Sequence, residues 1–343
     1  MYTRFGDNDI VTRQAQELVT STWTNNVNNL NTAYTSSTQA VFTTATSSGQ
    51  FFIDVYNEHT SSVSGGIHQY SLAFGHHAGS GSPDFTNDTG SFGLSSTRTT
   101  YSQFRQLHFN DDTKYFTFGT HGNDTELHPP IYVININRAN YKQKLTLGTL
   151  QLHISGATKG TPGNSQTVVH LTDDSVTNEA LGNSISLGPY YSIVSGTNGQ
   201  VLTGTTATTQ VGTSASYGHF YPEAGLIILN ADAFRTDLIP ALNPGGPAAN
   251  TDRNHQKLFN HISAAGHFVV DTTEEISSEF YFCRARNDQY NYTNNESFVD
   301  ANKNVFHESM KLNPKVFITT VGLYNDAFEL LAVAKLSQPV AKD

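Results

Sequence analysis

The chain has 343 residues, enough to bury a sizeable core as one large or two ordinary domains. Its formal net charge of -10, with no Lys/Arg cluster, argues against gripping nucleic acid, because neutralising phosphates needs grouped positive charge. The single cysteine, Cys283, rules out an intramolecular disulfide framework, and no apolar stretch approaches the length of a membrane span.

The opening Met1-Tyr-Thr-Arg-Phe-Gly lacks an apolar targeting region, so synthesis and assembly in a cytoplasm are expected, which does not exclude a final place outside a particle. Sequons at Asn87, Asn123, Asn291 and Asn295 are what an Asn-, Ser- and Thr-rich chain produces by chance. Low charge and abundant Gly, Thr and Ser suit strands and turns more than helices. The apolar residues gather in strand-length runs, unlike a disordered composition.

The first candidate element is a helix within Asp9 to Thr32. Asp9 is its cap, and Ile10, Val11, Ala15, Leu18, Val19 and Trp23 fall near helical spacing. The Thr/Asn run after Thr20 favours an early end, so residues 1–49 read as a helical arm and linker. Trp23, the only tryptophan, anchors either on the body or in a neighbouring subunit.

A β-rich body then opens at Gln50 to Tyr56, followed by an alternating strand over Ile67 to Phe74. A Gly/Ser loop, a short helix at Tyr101 to Leu107, and strands at Tyr115 to Phe118, Ile131 to Ile136 and Leu145 to Ile154 come next. Residues 156–222 are rich in Gly, Thr and Ser, with weaker strands at Thr167 to Leu171, Tyr191 to Ser195 and Gln200 to Leu202, and read as an inserted lobe. The strand Gly225 to Leu229 returns to the body. Asp232 can cap a helix that Pro240 limits, and a second helix spans Asn250 to Ala264. Three strands end the chain: Ile276 to Ala285, Val316 to Leu323 and Phe328 to Leu336. No fixed-period repeat emerges. The expected fold is mainly β: a mixed β-sandwich-like body over 50–155 and 223–343, a few short helices, the arm and the inserted lobe.

The search for chemistry is largely negative. His76, His77, His121, His128 and His153 form the densest histidine set, but no Cys-x-x-Cys or His-Glu-x-x-His accompanies them, so no metal or cofactor is expected. There is no Gly-x-Ser-x-Gly elbow and no Walker spacing. Cys283, inside Phe280-Tyr-Phe-Cys-Arg, is expected to be a small buried or interstrand side chain rather than a thiolate. The pairs Asp111-Asp112, Asp173-Asp174 and Glu274-Glu275 are adjacent in sequence, and adjacent strand residues point to opposite faces, so none converges as an acid/base pair. No catalytic constellation survives, and no enzyme is expected.

Two signals point to contacts. Arg284 and Arg286 lie two apart on one expected strand face, where they can pair with carboxylates of a partner or of the chain itself. Tyr290 and Tyr292 lead a Tyr/Asn-rich loop, and aromatics are enriched at interface cores and able to stack on sugars.

The end of the chain runs Phe280-Tyr-Phe-Cys-Arg-Ala-Arg-Asn-Asp-Gln-Tyr-Asn-Tyr, later Phe317-Ile-Thr-Thr-Val-Gly-Leu-Tyr-Asn-Asp, then Glu329-Leu-Leu-Ala-Val-Ala-Lys-Leu-Ser-Gln-Pro-Val. Earlier come Phe52-Ile-Asp-Val-Tyr-Asn, Leu72-Ala-Phe-Gly-His-His, Ile131-Tyr-Val-Ile-Asn-Ile-Asn-Arg and Phe220-Tyr-Pro-Glu-Ala-Gly-Leu-Ile-Ile-Leu. Over about residues 50–340 this resembles a family of large-phage virion structural proteins from contractile tails, of the kind placed at the baseplate. The chain departs from that pattern at Thr146-Leu-Gly-Thr, where the turn chemistry differs. The resemblance implies a non-enzymatic scaffold in several copies, homo- or hetero-oligomeric, contacting other tail and baseplate proteins in a virion. It supplies no catalytic residues, cofactor, nucleic acid or membrane span. A receptor- or glycan-binding tail module is the alternative, and a depolymerase a third.

The last block reads locally as a hairpin turning at Asn325 and Asp326. Its second strand is nearly continuously apolar, so cover on both faces is expected, with Pro339 marking its end. A chain that finishes in long strands can lend them to a neighbour's sheet.

Overall fold

Near-continuous apolar runs can rest only where both faces of a strand are covered. Two such runs, Ile131–Ile136 and Leu226–Asn230, lie side by side at the centre of the fold. The computed structural model describes residues 4, 10–31, 33–35, 52–58, 66–81, 96–118, 128–155, 168–201, 216–234, 254–286, 288–312 and 314–342.

In chain order the strands are β1 (Ile10–Ser21), β2 (Tyr34–Thr35), β3 (Phe52–Tyr56), β4 (His68–Gly75), β5 (Ile131–Ile136), β6 (Lys144–Leu145), β7 (Gln151–Ser155) and β8 (Val168–Asp173). There follow β9 (Gly182–Ser184), β10 (Gly188–Thr197), β11 (Gln200–Val201), β12 (Gly218–Tyr221), β13 (Leu226–Asn230), β14 (Phe268–Val269), β15 (Asp271–Tyr281), β16 (Val316–Tyr324) and β17 (Leu330–Lys342). The α-helices are α1 (Ser96–Phe109), α2 (Ala231–Ala233), α3 (Asn254–Ala265) and α4 (Ser309–Leu312). The protein is mainly β, as its composition leads one to expect.

The chain divides into two units, one of residues 17–276 and one combining residues 1–16 with 277–343. In the first, a 12-stranded sheet runs β14-β7-β8-β10-β12-β13-β5-β4-β3-β2, with β9 and β11 paired to β10 off that path. Alternation along β5 and β13 sends Ile134, Ile136, Ile227 and Leu229 into one apolar cluster and Ile131, Val133, Leu226 and Ile228 into a second. Leu258 and Ile262 of α3 close the first cluster, and Tyr101 of α1 closes the other. The sheet is therefore buried on both faces at its centre.

Several expectations change. Ile10–Ser21 is strand β1, not a helix, and pairs with β15. Its β-branched Ile10, Val11, Thr12, Val19 and Thr20 favour an extended chain once a partner strand is present, which outweighs the helical spacing. The remainder of the expected linker, residues 36–49, lies outside the described residues. Nor do the described residues of the expected lobe, 168–201 and 216–222, stand apart: β8, β10 and β12 are interior strands of the large sheet, in register at Ile193↔Asp173 and Tyr191↔Phe220, while 156–167 and 202–215 lie outside the described residues. Val169, Leu171, Ile193 and Phe220 carry enough apolar surface to join the main core. The helix expected at Tyr101 to Leu107 extends over all of Ser96–Phe109. Tyr115 to Phe118 pairs with no strand, although Phe116 and Phe118 are buried. Asn230, not Asp232, caps α2, accepting from the N–H groups of Asp232 and Ala233.

Candidate interaction surface

The second unit is built differently. Among the described residues, 39 hydrophobic side chains are buried, and Val299 is the only one of them from residues 277–343. The same segment supplies 13 of the 24 large hydrophobics that are exposed. The apolar residues are present in sequence, yet among the described residues none from 277–343 joins either core cluster.

β15 ends at Tyr281, earlier than expected, and Phe280, Tyr281 and Phe282 are all exposed. Arg284 and Arg286 therefore follow the strand rather than share one of its faces, and both are exposed. Cys283 is exposed beyond the strand end, a correction to the buried position expected for it. The next stretch is organised by short-range polar bonds. Asp300 accepts from the N–H groups of Asn302 (2.8 Å) and Asn304 (2.7 Å) and from Asn304 Nδ2 (3.1 Å), which holds its carboxyl below the usual range. A bridge between Val299 and Val305 closes this loop. Tyr292 meets Phe298 edge-on at 6.1 Å, and both Tyr290 and Tyr292 remain about half exposed. Lys342, at the end of β17, donates to the Gln289 carbonyl and to Asn291 Oδ1, fastening the last strand to the tyrosine loop.

β16 and β17 form a two-stranded ribbon of their own. Asn325 and Glu329 close its turn reciprocally: the Glu329 N–H donates to Asn325 Oδ1 (2.8 Å), and Asn325 Nδ2 donates to Glu329 Oε2 (2.7 Å). Phe328 sits in the left-handed region at φ 62° with its ring 63% exposed. The expected cover on both faces is absent in the single chain, since Leu330, Leu331 and Val333 are 52%, 68% and 58% exposed. Pro339 does not end the strand. The register jumps from Thr320↔Lys335 to Ile318↔Val340, so Pro339 falls in a bulge, where its missing N–H costs no ladder bond.

The two units also differ in charge. Residues 1–16 with 277–343 hold 9 basic and 10 acidic side chains, close to neutral, whereas residues 17–276 hold 10 and 19.

Trp23 is not a surface anchor. It is 2% exposed, donates from Nε1 to the Phe268 carbonyl (2.8 Å) and packs edge-on to that ring at 4.8 Å, so it docks on the chain's own body.

The histidines of the body pack against one another and against aromatic rings. His153 stacks on His170 (3.9 Å, 3° between planes) and on His267 (4.1 Å), because the register of β7 and β8 sets His153 opposite His170. Burial first, then the neighbouring imidazoles of His170 and His267, lower the pKa of His153 to about 4. His108 hydrogen-bonds Tyr221 (2.9 Å) and is lowered to about 4 by burial. His219 is 3% exposed, and neither of its ring nitrogens has a hydrogen-bond partner among the described residues; burial, with His108 adding, lowers it to about 3. His76 and His77 stack at 4.7 Å and Tyr115 covers His128 at 3.6 Å, while His121 lies outside the described residues. Among the described residues no three His, Cys, Asp or Glu side chains are arranged to hold a metal ion.

Sequence spacing gave no sign of His108, His219 or the His153–His170–His267 stack, which depend on strand register. Asp173 and Asp174 diverge: Asp173 accepts from the Gly148 (2.7 Å) and Leu150 (3.3 Å) N–H groups, and Asp174 from the Ser192 N–H (2.9 Å) and Asn178 Nδ2 (3.0 Å). Gly148, at φ 76°, belongs to the Thr146-Leu-Gly-Thr turn, and Asp173 secures that turn. Among the described residues, exposed large apolar side chains are concentrated in the near-neutral C-terminal unit. No family model matches this chain, and comparison with curated proteins and with solved structures finds no match.

Proposed function

We propose that the chain is a structural building block of a multisubunit particle, a tailed-phage virion with this chain at its baseplate, acting through protein contacts rather than turnover. One observation carries it: among the described residues of 277–343, 13 large hydrophobic side chains are exposed and Val299 is the only hydrophobic one buried. A two-stranded ribbon is marginal by itself in water, and large exposed apolar patches mark interaction sites. Such a unit is completed by other subunits. The virion assignment within this reading rests on the C-terminal resemblance. Cross-linking mass spectrometry on purified contractile tails tests it. Links from Lys315 and Lys335 to other tail subunits are expected, and absence of the chain from tails overturns the assignment.

A glycan-binding module is favoured only by the exposed Tyr290 and Tyr292. A glycan array with the full chain separates the two: specific binding lost in Tyr292→Ala supports the module, and a blank array leaves the scaffold.

A further inference from the structure

The β16–β17 register assigns the side chains near the turn to two faces, since paired residues project together and neighbours alternate. Val321↔Ala334 and Leu323↔Ala332 lie on one face, and Gly322↔Val333 and Tyr324↔Leu330 on the other. The second face has high relief: Tyr324, Leu330 and Val333 are 42%, 52% and 58% exposed, and the Tyr324 ring and Leu330 lean across Gly322. The first is shallower, with the exposed alanines Ala332 and Ala334 in a column beside half-buried Val321 and Leu323.

We infer that this ribbon packs between two further copies of the same chain, its high-relief face on the alanine face of one neighbour and its alanine face under the ribbon of the other. The inference rests on the assembly role proposed above and names the partner. Three features select a second copy. The two faces are complementary to each other in relief, large side chains against small, which is how packed layers interdigitate. The unit is nearly neutral, with 9 basic and 10 acidic residues, so copies meeting here do not repel as the more acidic bodies would. Ala332 and Ala334 on one face and Tyr324, Leu330 and Val333 on the other are exposed, and a two-fold contact uses the same patch on both partners and so covers only one of these faces. Matching large side chains against small ones calls for a face-to-opposite-face contact, which is heterologous and joins three or more chains, as a ring where the rotation closes and as a filament where it does not.

Sedimentation velocity and native mass spectrometry of the full chain test this, together with Val333→Glu and Ala334→Glu, neighbours in sequence on opposite faces. The expected wild-type species is an assembly of at least three 37.5 kDa chains. Each variant is expected to shift it to monomer, with Trp23 fluorescence and circular dichroism unchanged because both sites are exposed. A wild-type monomer or dimer overturns the inference. So does disruption by only one variant, which indicates pairing through a single face. A monomeric purified chain that still cross-links to other subunits in tails discards the self-association and keeps the assembly role; absence from tails with self-association in solution does the reverse.

Discussion

The body and the C-terminal unit come from one chain of similar local character, yet they solve the burial problem in opposite ways. In the body, strands such as β5 and β13 are apolar on both faces and are covered on both, by α1 and α3 among others. In the C-terminal unit, β17 has the same near-continuous apolar pattern and stands open. An apolar run reports that a strand is to be covered; it does not report by whom. The protein covers one set itself and leaves the other exposed.

The sharpest way to break that contrast is to truncate one large side chain in each unit. Trp23→Ala removes a buried ring and its hydrogen bond to the Phe268 carbonyl, and is expected to cost about 3–5 kcal/mol. Phe317→Ala, at a 57% exposed position, is expected to stay within about 0.5 kcal/mol in the dilute single chain. Chemical denaturation followed by circular dichroism measures both. Equal losses would erase the distinction between the units.

Acid is the next lever, and it acts on the body. His108, His153, His219 and His255 all have folded pKa values lowered by burial to about 3–4, below the unfolded value of about 6.5. A depressed histidine binds its proton more readily when unfolded, so its contribution is full above pH ~6.5 and fades as pH falls toward the folded value. The body is expected to lose several kcal/mol, at about 1.4 per pKa unit and per group before screening, between pH 7 and pH 4. Denaturation midpoints across that range report it, and a flat profile would contradict the buried neutral rings.

A smaller effect of opposite sign is expected at His219, whose nitrogens are buried with no hydrogen-bond partner among the described residues. His219→Phe keeps a flat ring among Phe118, Tyr190 and Tyr221, and is expected to raise stability by about 1–3 kcal/mol at pH 7. The same denaturation assay checks it, and a loss would mean that the ring serves another group. Smallest is Asp300→Ala, which frees the Asn302 and Asn304 N–H groups in an exposed loop. Faster proteolysis confined to residues 296–306 is the expected sign.

Much of the fold was legible wherever burial acts on one strand at a time. Ile131–Ile136 appears with the bounds that its apolar run suggests, and β4, β8, β10 and β13 lie within a few residues of their expected places. What the sequence concealed depends on partners distant along the chain. Ile10–Ser21 is extended because β15 pairs with it, a fact its own helical spacing opposes. The strands within 156–222 looked weak beside Gly- and Thr-rich neighbours but join the central sheet through residues as far off as Leu152, which pairs with Leu171. The histidine stack exists only through register. Of the residues singled out for contacts, Tyr290 and Tyr292 are exposed as expected, Arg284 and Arg286 lie past the strand, and Trp23 turns inward. Composition alone cannot separate an aromatic that fills a core from one that awaits a neighbour.

Hydrogen exchange on the full chain, dilute and then assembled, tests most directly whether the C-terminal unit is completed by other chains. Slow exchange over β5 and β13 is expected in both states. Over residues 316–342, rapid exchange is expected in the dilute chain and strong protection after assembly. A ribbon already as protected in the isolated chain as the body's central strands would contradict this.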